Sequence, residues 1–372
     1  MTGWAARGAP EMIALVAVLA TGAAGQSFTA AHGTADGDLV TIAFVGDVML
    51  SSGVGDAIAR NGVHYPWEGA RPILARADFV VANLETSVAH GGTAEQKQFT
   101  FRAEPHTLEG LAAAGVDLVT LANNHSLDYG AAALLETLEH LARNDVEHVG
   151  AGANAGAAYA PRIVSFGDLR IGFIGVSRVY PYAHWQATHR RPGVASGYDY
   201  AIPEVLRVVD EARPVVDALF VLVHWGSELA DEPRAIDLAF ADSLLAHNVT
   251  GVIGHHPHVL QGFRYDRDTA LVAWSLGNFV FRSFRDETRM TAVLFVDIDG
   301  AGRIVGARVE PMYIDDLRPR PARERADDVL RRIRTLSAPF DTSVAADGTL
   351  VDPEFERRRL LLEAATRLLR TL

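Results

Sequence analysis

The sequence predicts an α/β protein whose candidate functional site lies at one edge of its sheets. Short apolar runs alternate with stretches whose leucines recur at helical spacing, which is the pattern of strands alternating with helices. Five of the apolar runs are followed directly by Asp, Glu, Asn or His. Because open α/β sheets bind ligands at the carboxyl ends of their strands, these polar residues are the first candidates for a site.

The first half of the chain contains three of these strands. We expect them at residues 40–45, 79–82 and 116–121, and they are followed by Asp47, by Glu85, and by Asn124 with His125. Helices are expected over residues 105–114, which open on a proline, and over residues 131–143, where leucines share one face. Those leucines are typical of a core-facing helix.

The second half is richer in strands. Residues 162–166 and 169–175 predict a hairpin, and residues 177–200 predict a long loop of the kind that is often functional. Helices at 202–212 and 235–247 each precede a strand, at 218–223 and at 249–253. The first of these strands ends at His224 and the second at the run His255-His256-Pro257-His258. Further strands are expected at 270–275, 290–298 and 304–312.

Three segments divide the chain. Residues 1–37 combine Arg7, an apolar stretch at 12–20 and small residues after it, which is typical of a signal peptide or a membrane-anchor leader with a linker. Alternatives are an uncleaved anchor and a disordered tail. Residues 38–316 are expected to form one α/β domain, and residues 317–372 a charged helical C-terminal extension. The leader predicts an exported protein of the cell envelope, either secreted or membrane-anchored.

Composition excludes several classes of function. The 34 Lys and Arg residues against 46 Asp and Glu residues give a net charge of −12, and no basic run interleaved with aromatics is present, so nucleic acid is not an expected partner. Cysteine is absent, which excludes disulfides, thiolate metal ligands and a cysteine nucleophile. Any metal ion must therefore be held by oxygen and imidazole donors.

The polar residues at the strand ends form a set that suits a metal site. Carboxylate, carboxamide and imidazole donors favour borderline divalent ions such as Mn, Zn or Fe, and either one or two ions fit such a set. Taken singly, each residue is more often a cap or a turn residue. The recurrence at five strand ends favours a site. Its candidate members are Asp47, Glu85, Asn124, His125, His224, His256 and His258.

Six segments around these strand ends carry a family resemblance. They are Gly46-Asp47-Val48-Met49-Leu50, Asn83-Leu84-Glu85, Ala122-Asn123-Asn124-His125-Ser126-Leu127-Asp128-Tyr129-Gly130, His224-Trp225-Gly226-Ser227-Glu228, Gly254-His255-His256-Pro257-His258-Val259 and Ser275-Leu276-Gly277-Asn278-Phe279-Val280-Phe281. In this order they resemble the CapA family, which is implicated in poly-γ-glutamate capsule synthesis and is similar to calcineurin-like metallophosphoesterases. The resemblance covers residues 40–315. It implies a four-layer αββα sandwich of two mixed sheets, here with the helical C-terminal extension.

The resemblance also implies roles for individual residues. Asp47 and His258 would hold a first metal ion, Glu85 would bridge, and Asn124, His224 and His256 would hold a second. His125 would act as general acid. From its position, Asp128 either orients His125 or caps a helix. The candidates for a substrate role are His255, Glu228, Asn278 and Arg102. Alternatives are a place behind the ligands for His255, a solvated surface for Glu228 and a turn for Asn278.

Residue 49 departs from the superfamily pattern. Metallophosphoesterases usually carry Asp-x-His after the first strand, whereas this chain has Met49 two residues after Asp47. A thioether is a poor ligand for a borderline ion. The first site then contains Asp47, Glu85 and His258 only, which leaves both a mononuclear site and a weakly occupied second site open.

Two classes of function follow from these patterns. The first is a metal-dependent hydrolase that cleaves a phosphoester or an amide bond, with an anionic polymer or a phosphoester as substrate. The second is a non-catalytic partner that binds the polymer for membrane-bound capsule synthesis proteins, in particular a poly-γ-glutamate ligase. A third alternative is a family scaffold with an inactive site.

Overall fold

The computed structural model describes residues 27–29 and 39–371. Most of the expected leader therefore lies outside the described residues. The strands are β1 (Ser27–Thr29), β2 (Leu39–Val48), β3 (Phe79–Leu84), β4 (Ser87–Val88), β5 (Arg102–Ala103), β6 (Leu118–Thr120), β7 (Glu147–Val149), β8 (Ala151–Gly152), β9 (Arg162–Phe166), β10 (Leu169–Ser177), β11 (Gly193–Val194), β12 (Ala218–His224), β13 (Gly251–His255), β14 (Phe263–Asp266), β15 (Ala270–Ala273), β16 (Asn278–Val280), β17 (Met290–Asp299), β18 (Ile304–Asp315), β19 (Arg318–Pro321), β20 (Ser343–Val344) and β21 (Leu350–Val351).

The helices alternate with these strands as the sequence predicts. They are α1 (Ser52–Asn61), α2 (Arg71–Leu74), α3 (Thr107–Ala113), α4 (Gly130–Arg143), α5 (Ala155–Tyr159), α6 (Ile202–Ala212), α7 (Ala235–Ala246), α8 (Asp286–Arg289), α9 (Ala326–Ser337) and α10 (Pro353–Thr371). The expected loop at residues 177–200 contains only short turns of 3₁₀ helix and the two-residue strand β11.

Two mixed sheets form the centre of the fold. One has the order β1-β9-β10-β12-β13-β15-β14, and the other has the order β19-β18-β17-β2-β3-β6-β7, with β16 added beside β2. The strands that lead to the candidate site run parallel to their neighbours: β2 with β3 and β3 with β6 in the larger sheet, and β12 with β13 in the smaller. The predicted hairpin of β9 and β10 is confirmed as an antiparallel pair.

The two sheets pack face to face through large aromatic side chains. The ring of Phe44 on β2 lies 5.1 Å from that of Phe220 on β12, and the rings of Phe79 and Phe173 stack at 5.5 Å. All four side chains are fully buried. Burial of this apolar surface is the main term that holds one sheet against the other.

Helices cover the outer face of each sheet. Leu134 and Leu141 of α4 belong to the buried cluster outside the larger sheet, and Val205, Val209 and Phe240 of α6 and α7 belong to the cluster outside the smaller one. The order helix, sheet, sheet, helix confirms the expected four-layer αββα sandwich of two mixed sheets.

The C-terminal region contains the expected helices and also a strand that the sequence reasoning did not predict. Arg318–Pro321 forms β19, which pairs antiparallel with β18 at the sheet edge. The alternating prolines Pro319 and Pro321 suggested a break, but an edge strand tolerates residues that lack an N–H. Val329 and Ile333 of α9 are buried in the core between the sheets. The proposed boundary at residue 316 stays a prediction.

The last helix carries apolar side chains at the protein surface. Leu360, Leu361 and Leu362 of α10 are exposed. Within residues 27–29 and 39–371, none of the helices combines the length and the apolarity that a membrane crossing requires.

A close backbone approach brings β16 beside the end of β2. A Cβ atom on Gly46 would lie 1.9 Å from the carbonyl oxygen of Gly277, so only glycine fits at residue 46. The amide of Asp47 donates a hydrogen bond of 2.9 Å to that same carbonyl. As a result, Asn278 pairs with Asp47 in register.

Candidate metal centre

The candidate site lies where the carboxyl ends of both sheets meet. The larger sheet contributes Asp47 near the end of β2 and Glu85 after β3, and the smaller sheet contributes His224 at the end of β12. His256 and His258 follow β13. The sequence therefore predicted correctly that these strand ends share one edge, although their side chains come from different sheets.

Asp47, Glu85 and His258 form the first group of potential ligands. Their ligand atoms lie within 4.8 Å of one another. His258 Nδ1 is 3.1 Å from Asp47 Oδ2, and His258 Nε2 is 3.8 Å from Glu85 Oε1. Two carboxylates and one imidazole thus face a common point, as the resemblance implied for the first metal.

Glu85, His224 and His256 form the second group, again within 4.8 Å. His224 Nε2 lies 3.7 Å from Glu85 Oε1 and 2.9 Å from Asn124 Oδ1, which brings the predicted carboxamide ligand to this group. The rings of His224 and His256 are 4.7 Å apart. Glu85 belongs to both groups, which is the position that a bridging carboxylate occupies.

The loop after β13 adopts a strained backbone to deliver its two histidines. His256 has φ of 99° and His258 has φ of 60°, a region that residues with a Cβ adopt at a cost in free energy. The loop is tied to the neighbouring strand end, since Leu229 donates from its amide to the carbonyl of Pro257 at 2.8 Å. Strain of this kind is typical of functional sites.

Asn83 connects the two carboxylates. Its Nδ2 donates to Asp47 Oδ1 at 2.8 Å and to Glu85 Oε2 at 3.1 Å, and its Oδ1 accepts from Asn123 Nδ2 at 3.0 Å. Sequence reasoning assigned no role to Asn83. The available signal was its spacing: residues 83 and 85 share a strand face because side chains alternate along a strand.

His125 and Asp128 form a hydrogen-bonded pair at the rim of the cluster. His125 Nδ1 lies 2.6 Å from Asp128 Oδ2, as expected for a carboxylate that orients an imidazole. The other carboxylate oxygen accepts from Lys97 Nζ at 2.7 Å. The ring of Phe101 lies 4.4 Å from that of His125. Lys97 is the only lysine of the sequence, and no sequence pattern connected it with residues 125 and 128.

Burial and mutual charge separate the pKa values of the cluster. Burial, followed by the charge of Asp47, raises the pKa of Glu85 well above its usual range. Burial also raises the pKa of Asp47, but contacts with His255 and His258 outweigh it and hold that pKa well below its usual range. Burial disfavours the charged form of His258, yet Glu85 and Asp47 raise its pKa to about 9.

Three other histidines of the site have lowered pKa values, which favours their neutral form. Burial and then the charge of His258 lower the pKa of His256 to about 3, and burial with His256 holds the pKa of His224 well below its usual range. Burial likewise lowers the pKa of His125. Neutral imidazoles with free lone pairs are the form in which histidine binds metal ions.

Some of the donor atoms are also left without hydrogen-bond partners. Among the described residues, Glu85 Oε1 and His256 Nδ1 are buried and have none, whereas Asp47 Oδ2 is buried with His258 Nδ1 3.1 Å away. Buried polar atoms are normally paired, because leaving them unpaired costs free energy. Oxygen and imidazole donors in two groups around one shared carboxylate fit one or two divalent ions.

The four residues with a predicted substrate role occupy different places. Glu228 is exposed, and its carboxylate reaches within 4.8 Å of His256 and His258. Asn278 is 2% exposed and accepts from His258 Nδ1 at 2.9 Å, so it orients that ring. Arg102 lies at the surface over the ring of Tyr129.

His255, the fourth residue, is 1% exposed, and its Nδ1 lies 3.5 Å from Asp47 Oδ1. Asp128, the carboxylate predicted to orient His125, is fully buried.

Two mixed sheets between helical layers, with a shared carboxylate where their strand ends meet, define an αββα protein with a candidate dinuclear metal centre. The family model described as "Bacterial capsule synthesis protein PGA_cap" matches residues 41–283, and the chain belongs to this family. The matched region contains every residue of the candidate centre.

Curated relatives cover most of the chain. The capsule biosynthesis protein CapA of Bacillus anthracis is 27% identical over 350 residues, covering 93% of this chain and 84% of that protein. The PGA biosynthesis protein CapA of Bacillus subtilis strain 168 is 27% identical over 312 residues, covering 81% and 78%. A Mycobacterium tuberculosis protein named as a probable polyglutamine synthesis accessory protein is 27% identical over 358 residues, covering 82% and 93%.

Among solved structures, the chain is similar to a 5'-nucleotidase precursor from Thermus thermophilus. The TM-score is 0.40 and the identity 14%, with 79% of this chain and 58% of that chain covered. A likeness at this level says nothing about the chemistry of the site.

Proposed function

We propose that this protein is a divalent-metal hydrolase of poly-γ-glutamate capsule biosynthesis that cleaves a phosphoester or an amide bond. One observation carries the proposal: Glu85 belongs to two groups of buried ligand atoms, and its Oε1 has no hydrogen-bond partner within the described residues. Membership of the capsule synthesis family supplies the biological setting.

We assign the site residues to two roles, metal ligands and proton-transfer groups. Asp47, Glu85 and His258 would hold one ion, and Glu85, Asn124, His224 and His256 a second. Ions so placed supply Lewis-acid activation of water and of the scissile bond. These oxygen and imidazole donors suit Mn, Zn or Fe equally, so the identity of the ion is left open.

His125 is the candidate general acid. Asp128 accepts from its Nδ1, which leaves Nε2 to exchange a proton with the leaving group. Asp128 also accepts from Lys97, so the pair is held on both sides. Glu228, exposed beside His256 and His258, is placed to contact a bound substrate.

The test combines metal content with turnover. The purified chain is supplied with Mn²⁺, Zn²⁺ or Fe²⁺, desalted and subjected to elemental analysis, beside Asp47→Asn and His256→Ala. Hydrolysis of bis(p-nitrophenyl) phosphate and of γ-glutamyl p-nitroanilide is then measured. We expect up to two ions per chain, turnover of at least one of these substrate classes, and loss of both ions and turnover in the variants. His106→Ala, at an exposed position, is the matched control and should retain both.

A chain that retains no metal after all three ions have been supplied overturns the hydrolase proposal. That result would favour a second candidate, a non-catalytic accessory protein that binds the polymer for membrane-bound synthesis proteins. The name of the Mycobacterium relative, an accessory protein, is what favours this candidate. Its direct test is retention of poly-γ-glutamate by the purified chain in the presence and absence of added metal.

We also propose that the protein is exported to the cell envelope. The proposal is supported by the signal-peptide pattern of residues 1–37. Fractionation of cells that produce the full sequence, with and without residues 1–26, tests it. The full sequence should appear outside the cytoplasm and the shortened one inside.

A further inference from the structure

A separate group of potential metal ligands lies where the segment after β4 meets helix α4. His90 follows β4, and Glu136 and His140 belong to α4. One ligand atom from each of these three residues lies within 4.8 Å of the other two. Glu136 and His140 are four residues apart, so they share one face of the helix. The group has no member in common with the groups at the candidate centre.

The backbone holds the two elements of this group together. The amide of Val88 on β4 donates to Thr137 Oγ1 on α4 at 2.9 Å. The amides of His90 and Gly91 donate to the two carboxylate oxygens of Glu136, at 2.8 Å and 3.3 Å. The rings of His90 and His140 lie edge to face, 5.9 Å apart. Such a preformed arrangement lowers the entropy that binding costs.

The donors of this group retain the capacity to bind an ion. Each carboxylate oxygen has two lone pairs, so the hydrogen bonds from backbone amides leave Glu136 able to coordinate. The bond from the His90 amide is also the main cause that holds the pKa of Glu136 below its usual range, which keeps the carboxyl group charged. The side chain of His90 is 69% exposed, and Glu104 Oε2 lies 3.4 Å from its Nδ1.

Arg143 competes with an ion for His140. His140 Nε2 lies 3.2 Å from Glu136 Oε1, and Arg143 Nη1 lies 3.2 Å from His140 Nδ1. A guanidinium only donates, so this contact occupies the one ring lone pair of a neutral imidazole. An ion and Arg143 therefore cannot hold the ring together. The Arg143 side chain is 63% exposed and is free to turn into water.

We propose that His90, Glu136 and His140 form a second, separate metal site that binds Zn²⁺. Two imidazoles and one carboxylate are a donor set with which proteins bind this ion, and a water molecule completes the four ligands. The site does not depend on the proposed function, because it shares no ligand with the candidate centre.

An ion at this site would fasten the start of a segment that reaches the His125–Asp128 pair. Residues 89–101 join β4 to β5. Near the far end of this segment, Lys97 Nζ donates to Asp128 Oδ1 at 2.7 Å, and the amide of Phe101 donates to Asp128 Oδ2 at 2.6 Å. Zn²⁺ would thus restrain the segment that holds Asp128 beside His125.

Titration of the full, metal-free chain with Zn²⁺ tests the site, with calorimetry giving the number of ions and each Kd. His90→Ala removes an exposed ligand, and Arg143→Ala removes the competing cation. His247→Ala is the matched control, because His247 Nδ1 also lies 2.7 Å from a carboxylate, Asp210, but belongs to no potential metal group in the described part of the chain. Each variant is also made together with His256→Ala, which disables the candidate centre.

We expect the wild type to bind one Zn²⁺ more than His90→Ala, or His90→Ala to bind that ion with a Kd raised at least about tenfold. Arg143→Ala should lower the Kd, since the ring of His140 is then free of its competitor. His247→Ala should match the wild type. The difference made by His90→Ala should persist beside His256→Ala. Circular dichroism confirms that each variant is folded.

Equal numbers of ions and equal Kd values in the wild type and in folded His90→Ala would overturn this site and leave the candidate centre untouched. A wild type that binds one Zn²⁺, lost in His90→Ala and kept in His256→Ala, would support this site and remove the proposed function. The two failures are therefore distinguishable in the same titration.

Discussion

Asn83 donates from one amide nitrogen to Asp47 at 2.8 Å and to Glu85 at 3.1 Å. A single neutral donor therefore holds two buried carboxyl groups in place. Replacing Asn83 by Ala leaves one carboxyl oxygen on each side without its donor. We expect a loss of about 2 kcal/mol or more in the free energy of unfolding, because hydrogen bonds to charged groups are the stronger ones. Urea denaturation measures it.

Asn61→Ala is the matched control for this change. Its side chain makes one hydrogen bond, to the carbonyl of Ala57, at an exposed helix end. We expect Asn61→Ala to lower the free energy of unfolding by no more than about 0.5 kcal/mol. Equal losses in the two variants would contradict the role given to Asn83.

Lys97 and Asp128 are expected to be energetically coupled. Their contact of 2.7 Å joins a side chain that is 13% exposed to one that is fully buried. Removing either partner leaves the other charge poorly solvated, and a buried pair broken in this way is costly. In a double-mutant cycle of Lys97→Met and Asp128→Asn, we expect a coupling free energy of about 1–3 kcal/mol.

Arg143 and Glu139 provide the comparison. This pair lies at 3.1 Å along one helix face, with side chains 63% and 66% exposed. Its coupling should stay below about 0.5 kcal/mol, since water screens exposed pairs. A Lys97–Asp128 coupling no larger than that would show that the lysine does not hold the His125–Asp128 pair.

Asp237 should be one of the more costly positions away from the centre. It is fully buried, lies 3.3 Å from Arg178 and also accepts from Arg234. The Arg178 side chain is itself 1% exposed, so Asp237→Ala leaves its buried Nε without a facing carboxylate, while its Nη2 keeps the contact of 2.6 Å with Asp199. We expect a loss of about 3 kcal/mol in the free energy of unfolding. Asp242→Ala, which removes an exposed partner of Arg264, should cost less than about 1 kcal/mol in the same assay.

We expect the folded protein to lose stability in acid because of His148. Burial, reinforced by the charge of Arg162, lowers the pKa of His148 to about 4 from 6.5. On acidification, the unfolded chain therefore takes up this proton at a higher pH than the folded protein does. Above pH 6.5 the ring is neutral in both states, and its contribution to the stability of the folded state is fully present. That contribution is lost as the pH falls from about 6.5 towards about 4, up to about 3 kcal/mol.

His148→Gln isolates this contribution, because every other titrating group is common to both proteins. The difference in unfolding free energy between wild type and variant, measured by urea denaturation at pH 7.5 and at pH 4.5, should shrink on acidification. The exposed His64→Gln variant is carried through the same two measurements as the matched control. A difference that is independent of pH would rule out a neutral buried ring at residue 148.

The sequence predicted the strands and most of the cluster because both depend on local patterns. Apolar runs with polar residues behind them placed Asp47, Glu85, His224 and His256 at one edge. The role of Lys97 was not predicted, because its contact with Asp128 joins residues 31 apart in the sequence and depends on three-dimensional packing. The strand Arg318–Pro321 was missed because its prolines indicate a break when the neighbouring strand is unknown.

Asn278 and His255 show what residue spacing leaves open. The sequence offers Asn278 as a substrate contact or a turn residue, and His255 as a substrate contact or a residue behind the metal ligands. Asn278 lies beside His258, where the pairing of β16 with β2 places it, and its substrate role stays a prediction. His255 lies between the sheets. The packing of the two sheets decides which face of a strand end points into the sandwich. Residue spacing alone does not predict that packing.

The centre draws its donors from both sheets, which elsewhere touch through apolar side chains. An ion bound there would cross-link the two sheets, because separating the sheets would break its coordinate bonds. Thermal and proteolytic resistance would then track the concentration of free metal, through the ordinary mass action of a ligand that binds only the folded form. The lifetime of the folded protein would be set in part by the metal supply around it.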